Sequence, residues 1–386
     1  MKNIKLLNKI DKIGTDVFNT SKYALSDKTE NPCGIMVRSA VMHEMEFGSD
    51  LLAIARAGAG VNNIPIERCS EKGIVVFNTP GANANGVKEL AIASLLLSSR
   101  KIVDGINWAN NLKGQSDVEK LVEKGKSKFT GPELKGKTLG VIGLGAIGGM
   151  VANVAYSLGM EVMGCDPYIT VNAAWSLSRA VVKAENYDEI YCNCDYITLH
   201  VPSVPSAIGL INKDSITKMK DGVRIVNLSR GDIVNTADIL EALASGKVAA
   251  YVTDFPCEEL LGVEGVIAIP HLGASTLESE ENCAFMAAQQ MVDYLENGNI
   301  RNSVNYPEII LPRVTMNRVV VLHENIPNML AQVSTVLSSF NINIESLLSH
   351  AKGTNAVSLY ETNDEVGSSV VEKILAIPGV RRVMVI

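Results

Sequence analysis

Residues 138–166, TLGVIGLGAIGGMVANVAYSLGMEVMGCD, decide the fold. An apolar strand, TLGVIGLG, runs into Gly143-Leu144-Gly145-Ala146-Ile147-Gly148. A helical stretch follows to about Gly159, and a second strand, EVMGCD, ends at Asp166. A bare GxGxxG only permits tight turns, but strand, glycines and helix in this order read as a βαβ unit that binds a dinucleotide. Gly143 allows the turn, Gly145 lets the backbone approach a pyrophosphate, and Gly148 lets helix and strand pack closely. The helix start, with Ala146 and Ile147, offers unpaired N–H groups and a positive dipole to the phosphates. Asp166 lies 18 residues beyond Gly148, close to the roughly 20 of this fingerprint. Its carboxylate suits the ribose hydroxyls and repels a 2′-phosphate, which favours NAD over NADP. The alternative, a turn-forming Asp ahead of Pro167, accounts for the acid but not for the glycines.

Working outward, short β-rich runs alternate with helical patterns from about Gly34 to Ile269, which predicts an α/β protein with parallel sheets. GIMVRS (34–39), LLAIARAG (51–58) and GIVVFNTP (73–80) each read as an apolar strand ending in small or polar residues. A stripe through Val87, Leu90, Ala91, Ser94 and Leu97 predicts one long helix over 85–106. A polar connection, 110–137, follows. Its Lys120, Lys124, Lys126 and Lys128 read as a solvated face, or alternatively as charge for an anionic substrate. Near Tyr306 the run NYPEIILPR carries two prolines and reads as a linker. Beyond it the order is strand (318–323), helix (327–340), strand (343–350), strand (355–361), helix (368–376), strand (380–386). That is a ferredoxin-like βαββαβ arrangement, and Pro327 suits an early helical position.

The 386 residues are 47% hydrophobic and 20% charged, enough for two or three domains with their own cores. A net charge of −7 argues against a general nucleic-acid or anionic-membrane binder. The N-terminus, MKNIKLLNKIDKIG, lacks the apolar core of a signal peptide, and no run has the 18 or more apolar residues of a membrane span. Seven scattered cysteines, with no His or Cys at zinc spacing near Cys192 and Cys194, predict reduced, buried thiols and no metal.

Three further segments carry chemistry. NLSRGDIVN places Arg230 just after the strand GVRIVNLS. VTDFPCEEL carries Asp254, Glu258 and Glu259, and IPHLGAST places His271 after the strand GVIAIP. Each alone reads as a solvated charge or a loop cap. Together they set a guanidinium, a carboxylate and an imidazole at strand ends, where ligands of α/β sheets bind. Oxidising a 2-hydroxy acid needs a base for the hydroxyl proton, a cation for the carboxylate and a nicotinamide for the hydride. Histidine, with an ordinary pKa of about 6.5, suits the base, and arginine grips carboxylates in bidentate fashion.

The GLGAIG loop, Asp166, NLSRGDIVN and PHLGAST together resemble the D-2-hydroxyacid dehydrogenase family over nearly the whole chain. The resemblance implies two Rossmann-like doubly wound parallel-sheet domains plus the C-terminal ferredoxin-like domain, which resembles ACT regulators in HENIPNML and FNINIESL. Expected boundaries are 1–90 with 283–305 for substrate binding, 91–282 for NAD, 306–315 for the linker and 316–386 for the ACT domain. Arg230, Glu258 and His271 are implied as catalytic, with Glu258 supporting His271. The segment is one residue shorter than usual, so counting from Arg230 points instead to Glu259. NAD contacts are implied at Leu228, Ser229, Asp254, Gly273 and Ala274 besides the glycine loop.

Arg38, Ser39 and Asn83 are implied near the substrate. Arg56, Gly58, Gly60, Asn62 and Glu89 also match family positions lining that site. In the tail, His323, Asn325 and Asn343 match serine-binding positions, while Asn328 stands where such domains usually have Gly. A serine-responsive tail implies NAD-dependent oxidation of D-3-phosphoglycerate to 3-phosphohydroxypyruvate, the first step of L-serine biosynthesis, with L-serine as effector. A cytoplasmic homo-oligomer is expected by the same resemblance. The alternatives are a dehydrogenase of glycerate, lactate or 2-oxoglutarate type, or a non-catalytic NAD-sensing scaffold, which has no need for base, carboxylate and guanidinium together.

Overall fold

A computed structural model describes residues 1–386, which form two compact units: Met1–Asn83 with Leu277–Ile386, and Ala84–Thr276. The first unit is built on β1 (Lys2–Leu7), β2 (Tyr23–Ser26), β3 (Gly34–Val37), β4 (Ala53–Arg56) and β5 (Val75–Phe77). All five are parallel, in the doubly wound order β2-β1-β3-β4-β5. The α/β pattern therefore begins at Lys2, well ahead of the expected start at Gly34. In β1 only Ile4 is fully buried among lysines and half-buried residues, so no period-2 signal marks the strand.

The second unit carries β6 (Thr138–Ile142), β7 (Glu161–Cys165), β8 (Val182–Lys183), β9 (Tyr196–Leu199), β10 (Val223–Asn227), β11 (Val248–Thr253) and β12 (Val266–Ala268). Its parallel order, β12-β11-β10-β9-β6-β7-β8, is the dinucleotide-binding order extended by one strand. One face packs on Val87, Ala91 and Leu95 of the helix Ala84–Arg100 and on Val151, Ala152 and Ala155 of the helix Ala146–Ser157. The helix expected over 85–106 breaks at Lys101, which adopts φ +45°, and a separate helix, Ile102–Asn110, buries none of its residues. Without a core to cover, the apolar pattern alone does not keep the two collinear.

The tail forms β13 (Asn317–Glu324), β14 (Ser346–Lys352), β15 (Asn355–Thr362) and β16 (Val380–Val385), an antiparallel sheet in the order β14-β15-β13-β16. The helices Met329–Ser339 and Ser368–Leu375 cover one face through Met329, Val333, Leu337, Val370 and Ile374. Pro327 lies outside its helix, which starts after Asn328. Asn328 holds φ +68°, the left-handed conformation that Asn tolerates best after Gly, so the Gly-to-Asn departure preserves the backbone turn.

The tail packs within the first unit. Val320, Leu322, Val357 and Leu359, on its other face, share one core with Phe77, Tyr294 and Tyr306. Arg318 and Glu361, both fully buried, form an ion pair, and Arg318 also donates to the Asn297 and Leu311 carbonyls. The expected linker is part of this packing: Tyr306 is buried and its hydroxyl donates to the Ser70 carbonyl, while Ile309 exchanges backbone bonds with Ile300. All seven cysteines are free thiols, with Cys192 exposed rather than buried. No helix is long and apolar enough to cross a membrane.

Candidate active site

The glycine turn sits where the seven-stranded sheet reverses direction. β6 and β9 are neighbours, and the remaining strands run outward from them to opposite edges. Ligands of such sheets bind beyond the strand C-termini at this crevice. Gly143 follows β6 at φ +90°, and a Cβ there would lie 2.5 Å from the His200 carbonyl oxygen. A Cβ on Gly148 would lie 1.9 Å from the Gly143 carbonyl oxygen, so only glycine lets the helix pack this close to the turn. At Gly145 no atom lies within 4 Å of such a Cβ, and no side chain caps the amides of the helix that starts there. Ala146 and Ile147 thus open an uncapped helix N-terminus beside an open cradle, a geometry that suits an anion. Asp166 accepts from Leu144 N at 2.8 Å and from Tyr168 N at 2.9 Å. The acid therefore forms the turn ahead of it and also braces the glycine loop.

On the other side of the reversal, Arg230, Asp254 and His271 follow within three residues of the ends of β10, β11 and β12. His271 Nδ1 lies 3.3 Å from Asp254 Oδ2, and its ring meets Phe255 edge-on at 4.8 Å between centroids. Asp254 side chain is 1% exposed, whereas that of His271 is 60% exposed, so the imidazole reaches outward from a buried anchor. Burial pushes the Asp254 carboxyl above its ordinary pKa, and His271 and Arg230 pull it back. Its Oδ1 is buried with no partner, an orphan acceptor aimed at nothing the chain supplies. Leu228 and Ser229 lead into exposed Arg230, and Ser229 Oγ donates to the Leu199 carbonyl at 2.5 Å. Gly273 lines the Asp254 side, where a Cβ would lie 3.7 Å from Oδ2, and Ala274 follows half-buried.

The carboxylate against His271 is thus Asp254, not Glu258 or Glu259. Both glutamates lie on an exposed turn, Glu258–Leu260, outside ion-pair distance of the ring. Glu259 is held below its ordinary pKa by its own backbone N–H and the Cys257 thiol. Sequence reading missed two supports. Asn227, fully buried at the end of β10, donates to the Arg230 carbonyl at 2.9 Å and accepts from Ser229 N, which fixes the arginine loop. His200, after β9, bonds Thr198 Oγ1 at 2.9 Å and is kept neutral by burial, its pKa pushed down to about 4. A polar residue closing an otherwise apolar strand was the available signal for both.

In the first unit Arg38 and Ser39 leave the C-terminal end of β3. Ser39 N donates to Asn8 Oδ1, Arg38 pairs with Glu280 at 2.6 Å, and Arg56 Nε donates to the Arg38 carbonyl. Asn83, half-buried, ends the loop that follows β5. Lys120 and Lys126 pair with Asp117 and Glu123 on an exposed surface. In the tail, His323 and Asn325 line one cavity of about 430 Å³ with Ile326, Met329 and Ala356, whereas Asn343 lies outside it and donates to Glu345. The His323 ring is already occupied, Nδ1 by the Glu324 carbonyl and Nε2 by Ser358 Oγ, and burial holds its pKa down.

A glycine turn and a His–Asp pair thus stand at the strand ends of one doubly wound sheet. Residues 92–273 match the family "D-isomer specific 2-hydroxyacid dehydrogenase, NAD binding domain". Among curated relatives, D-3-phosphoglycerate dehydrogenase of Archaeoglobus fulgidus is 38% identical over 71% of this chain and 52% of its own length. That of Methanocaldococcus jannaschii is 34% identical over 86% of this chain and 62% of its own. The chain therefore spans little more than half the length of these relatives. The NAD⁺-bound 3-phosphoglycerate dehydrogenase structure of Entamoeba histolytica matches 79% of this chain and 98% of its own, at 27% identity and a TM-score of 0.61. The open cradle at Gly145, the uncapped helix and the orphan Asp254 Oδ1 fit NAD as the cofactor of this domain.

Proposed function

We propose that the chain oxidises D-3-phosphoglycerate to 3-phosphohydroxypyruvate with NAD, the first step of L-serine biosynthesis. The observation that carries the reading is the buried, half-satisfied Asp254 behind an exposed His271 at the strand ends of an NAD-binding sheet. Identities of 34–38% to D-3-phosphoglycerate dehydrogenases support the choice of substrate. In this reading Nδ1–H of His271 donates to Asp254, which leaves Nε2 as the base that removes the C2 hydroxyl proton. The Asp254 carboxylate then stabilises the imidazolium. Phe255 holds the ring plane. Arg230, on a loop pinned by Asn227, grips the substrate carboxylate. The glycine turn would hold the pyrophosphate, Asp166 the ribose, and Asp254 Oδ1 a nicotinamide carboxamide donor. NAD, when bound, supplies the hydride acceptor.

Regulation and assembly belong to the same proposal. The tail is an ACT regulatory domain whose cavity at His323 and Asn325 takes L-serine, in a cytoplasmic homo-oligomer. Both nitrogens of His323 are spoken for and Asn325 Nδ2 donates to the Gly353 carbonyl, so Asn325 Oδ1 is the side-chain group offered to the amino acid.

The test is the initial rate of NADH oxidation with 3-phosphohydroxypyruvate, with and without L-serine, beside pyruvate and hydroxypyruvate. Strong preference for the phosphorylated acid and inhibition by serine are expected. Equal or better rates with the unphosphorylated acids would defeat the substrate assignment. His271→Asn should lose turnover by about 10²–10⁴-fold while NADH still binds.

A further inference from the structure

Arg38 and Glu280 make an unusual pair for a surface contact. In the parallel register Val37 lies opposite Arg56, so Arg38 and Arg56 leave adjacent central strands at the same C-terminal edge of the five-stranded sheet. That edge is where doubly wound sheets receive ligands. Glu280 reaches it from the first turn of the helix Leu277–Asn297, where the helix dipole favours an anion. The two meet through one contact, Nη2 to Oε1 at 2.6 Å, with side chains 42% and 39% exposed. The fork of the guanidinium is thus held by one oxygen and remains open to solvent. Both positive charges also reach inward: Arg56 and Arg38 each pull down the pKa of Cys283, which lies one turn beyond Glu280, although burial raises it overall.

We propose that Glu280 is a specificity-determining residue: it is the intramolecular counter-ion of Arg38, and an anionic substrate group binds by displacing it. This rests on the reading that Arg38 serves the substrate. A half-exposed, single-contact carboxylate is a weak partner, and a phosphate presents more charge and more acceptor oxygens to the same fork. Glu280 therefore sets a threshold that favours strongly anionic ligands and keeps the arginine from engaging weaker ones.

The test compares wild type with Glu280→Gln and Glu280→Ala. Two measurements are made: KM for 3-phosphohydroxypyruvate with NADH, and calorimetric titration with inorganic phosphate at low ionic strength. Removing the competitor should lower both KM and the phosphate Kd by about two- to fivefold, the scale of an exposed ion pair, with the gain shrinking as salt is added. A KM and Kd that rise, or that do not move in either variant, would overturn the proposal and make Glu280 an orienting or purely structural partner. If wild type turned over no 2-oxo acid, the proposed function would fall. The phosphate titration would still decide the role of Glu280.

Discussion

His200 couples the nucleotide turn to pH in a way that can be worked out quantitatively. Its carbonyl lies against Gly143 and its Cβ would be 3.3 Å from a Cβ on Gly148, so the residue underlies the turn that receives the dinucleotide. Burial holds its pKa at about 4 in the folded chain, against about 6.5 for an unfolded histidine. Between these values the unfolded chain binds a proton that the folded chain refuses, so stability is fully present above about pH 6.5 and is lost as pH falls toward 4. At pH 5.0 the folded group is almost wholly neutral and the unfolded one almost wholly charged. The loss relative to pH 7.5 then comes to about 2 kcal/mol at 1.36 kcal/mol per unit. Trp108 and Trp175 are the chain's two tryptophans and both lie in the second unit, so their fluorescence in urea follows this unit. His200→Gln keeps a polar group near Thr198 but cannot titrate. Its stability should fall by about 2 kcal/mol less than wild type between the two pH values. Equal losses would refute the assignment of this acid sensitivity to His200.

Three other outcomes follow from the geometry. Asp254→Asn should lower kcat by about tenfold or more with NADH still bound, and Glu258→Gln should change it by only a few-fold; the reverse ranking would hand the support of His271 to Glu258. Gly148→Ala should destabilise the second unit and abolish NADH binding, because its Cβ meets the Gly143 carbonyl at 1.9 Å. Gly145→Ala, with nothing within 4 Å, should weaken NADH while leaving the melting temperature close to wild type. Arg318→Ala strands buried Glu361 and should cost the first unit about 3–5 kcal/mol by calorimetry, whereas replacing both by apolar residues should cost far less.

The nucleotide turn, the parallel α/β character and the βαββαβ tail are legible in the residue order alone. Each of these is written in local spacing: a GxGxxG run whose Gly143 and Gly148 leave a Cβ no room, strands with continuous apolar runs, and helices with a 3.6-residue stripe. The residue order also singled out Arg230, Asp254 and His271, because a charge at the end of an apolar strand is a local signal. Tertiary structure decided which of them meet. Asp254 and His271 end adjacent strands, and the pairing of β11 with β12, rather than the spacing of Glu258 or Glu259, sets the carboxylate against the ring. The break at Lys101 and the docking of the tail were likewise decided by what lay available to bury. The helix Ile102–Asn110 finds no core, whereas Leu322 and Val357 find Phe77 and Tyr294, far away in the chain. Local pattern states what a segment can bury or bind; only the assembled fold supplies the partner.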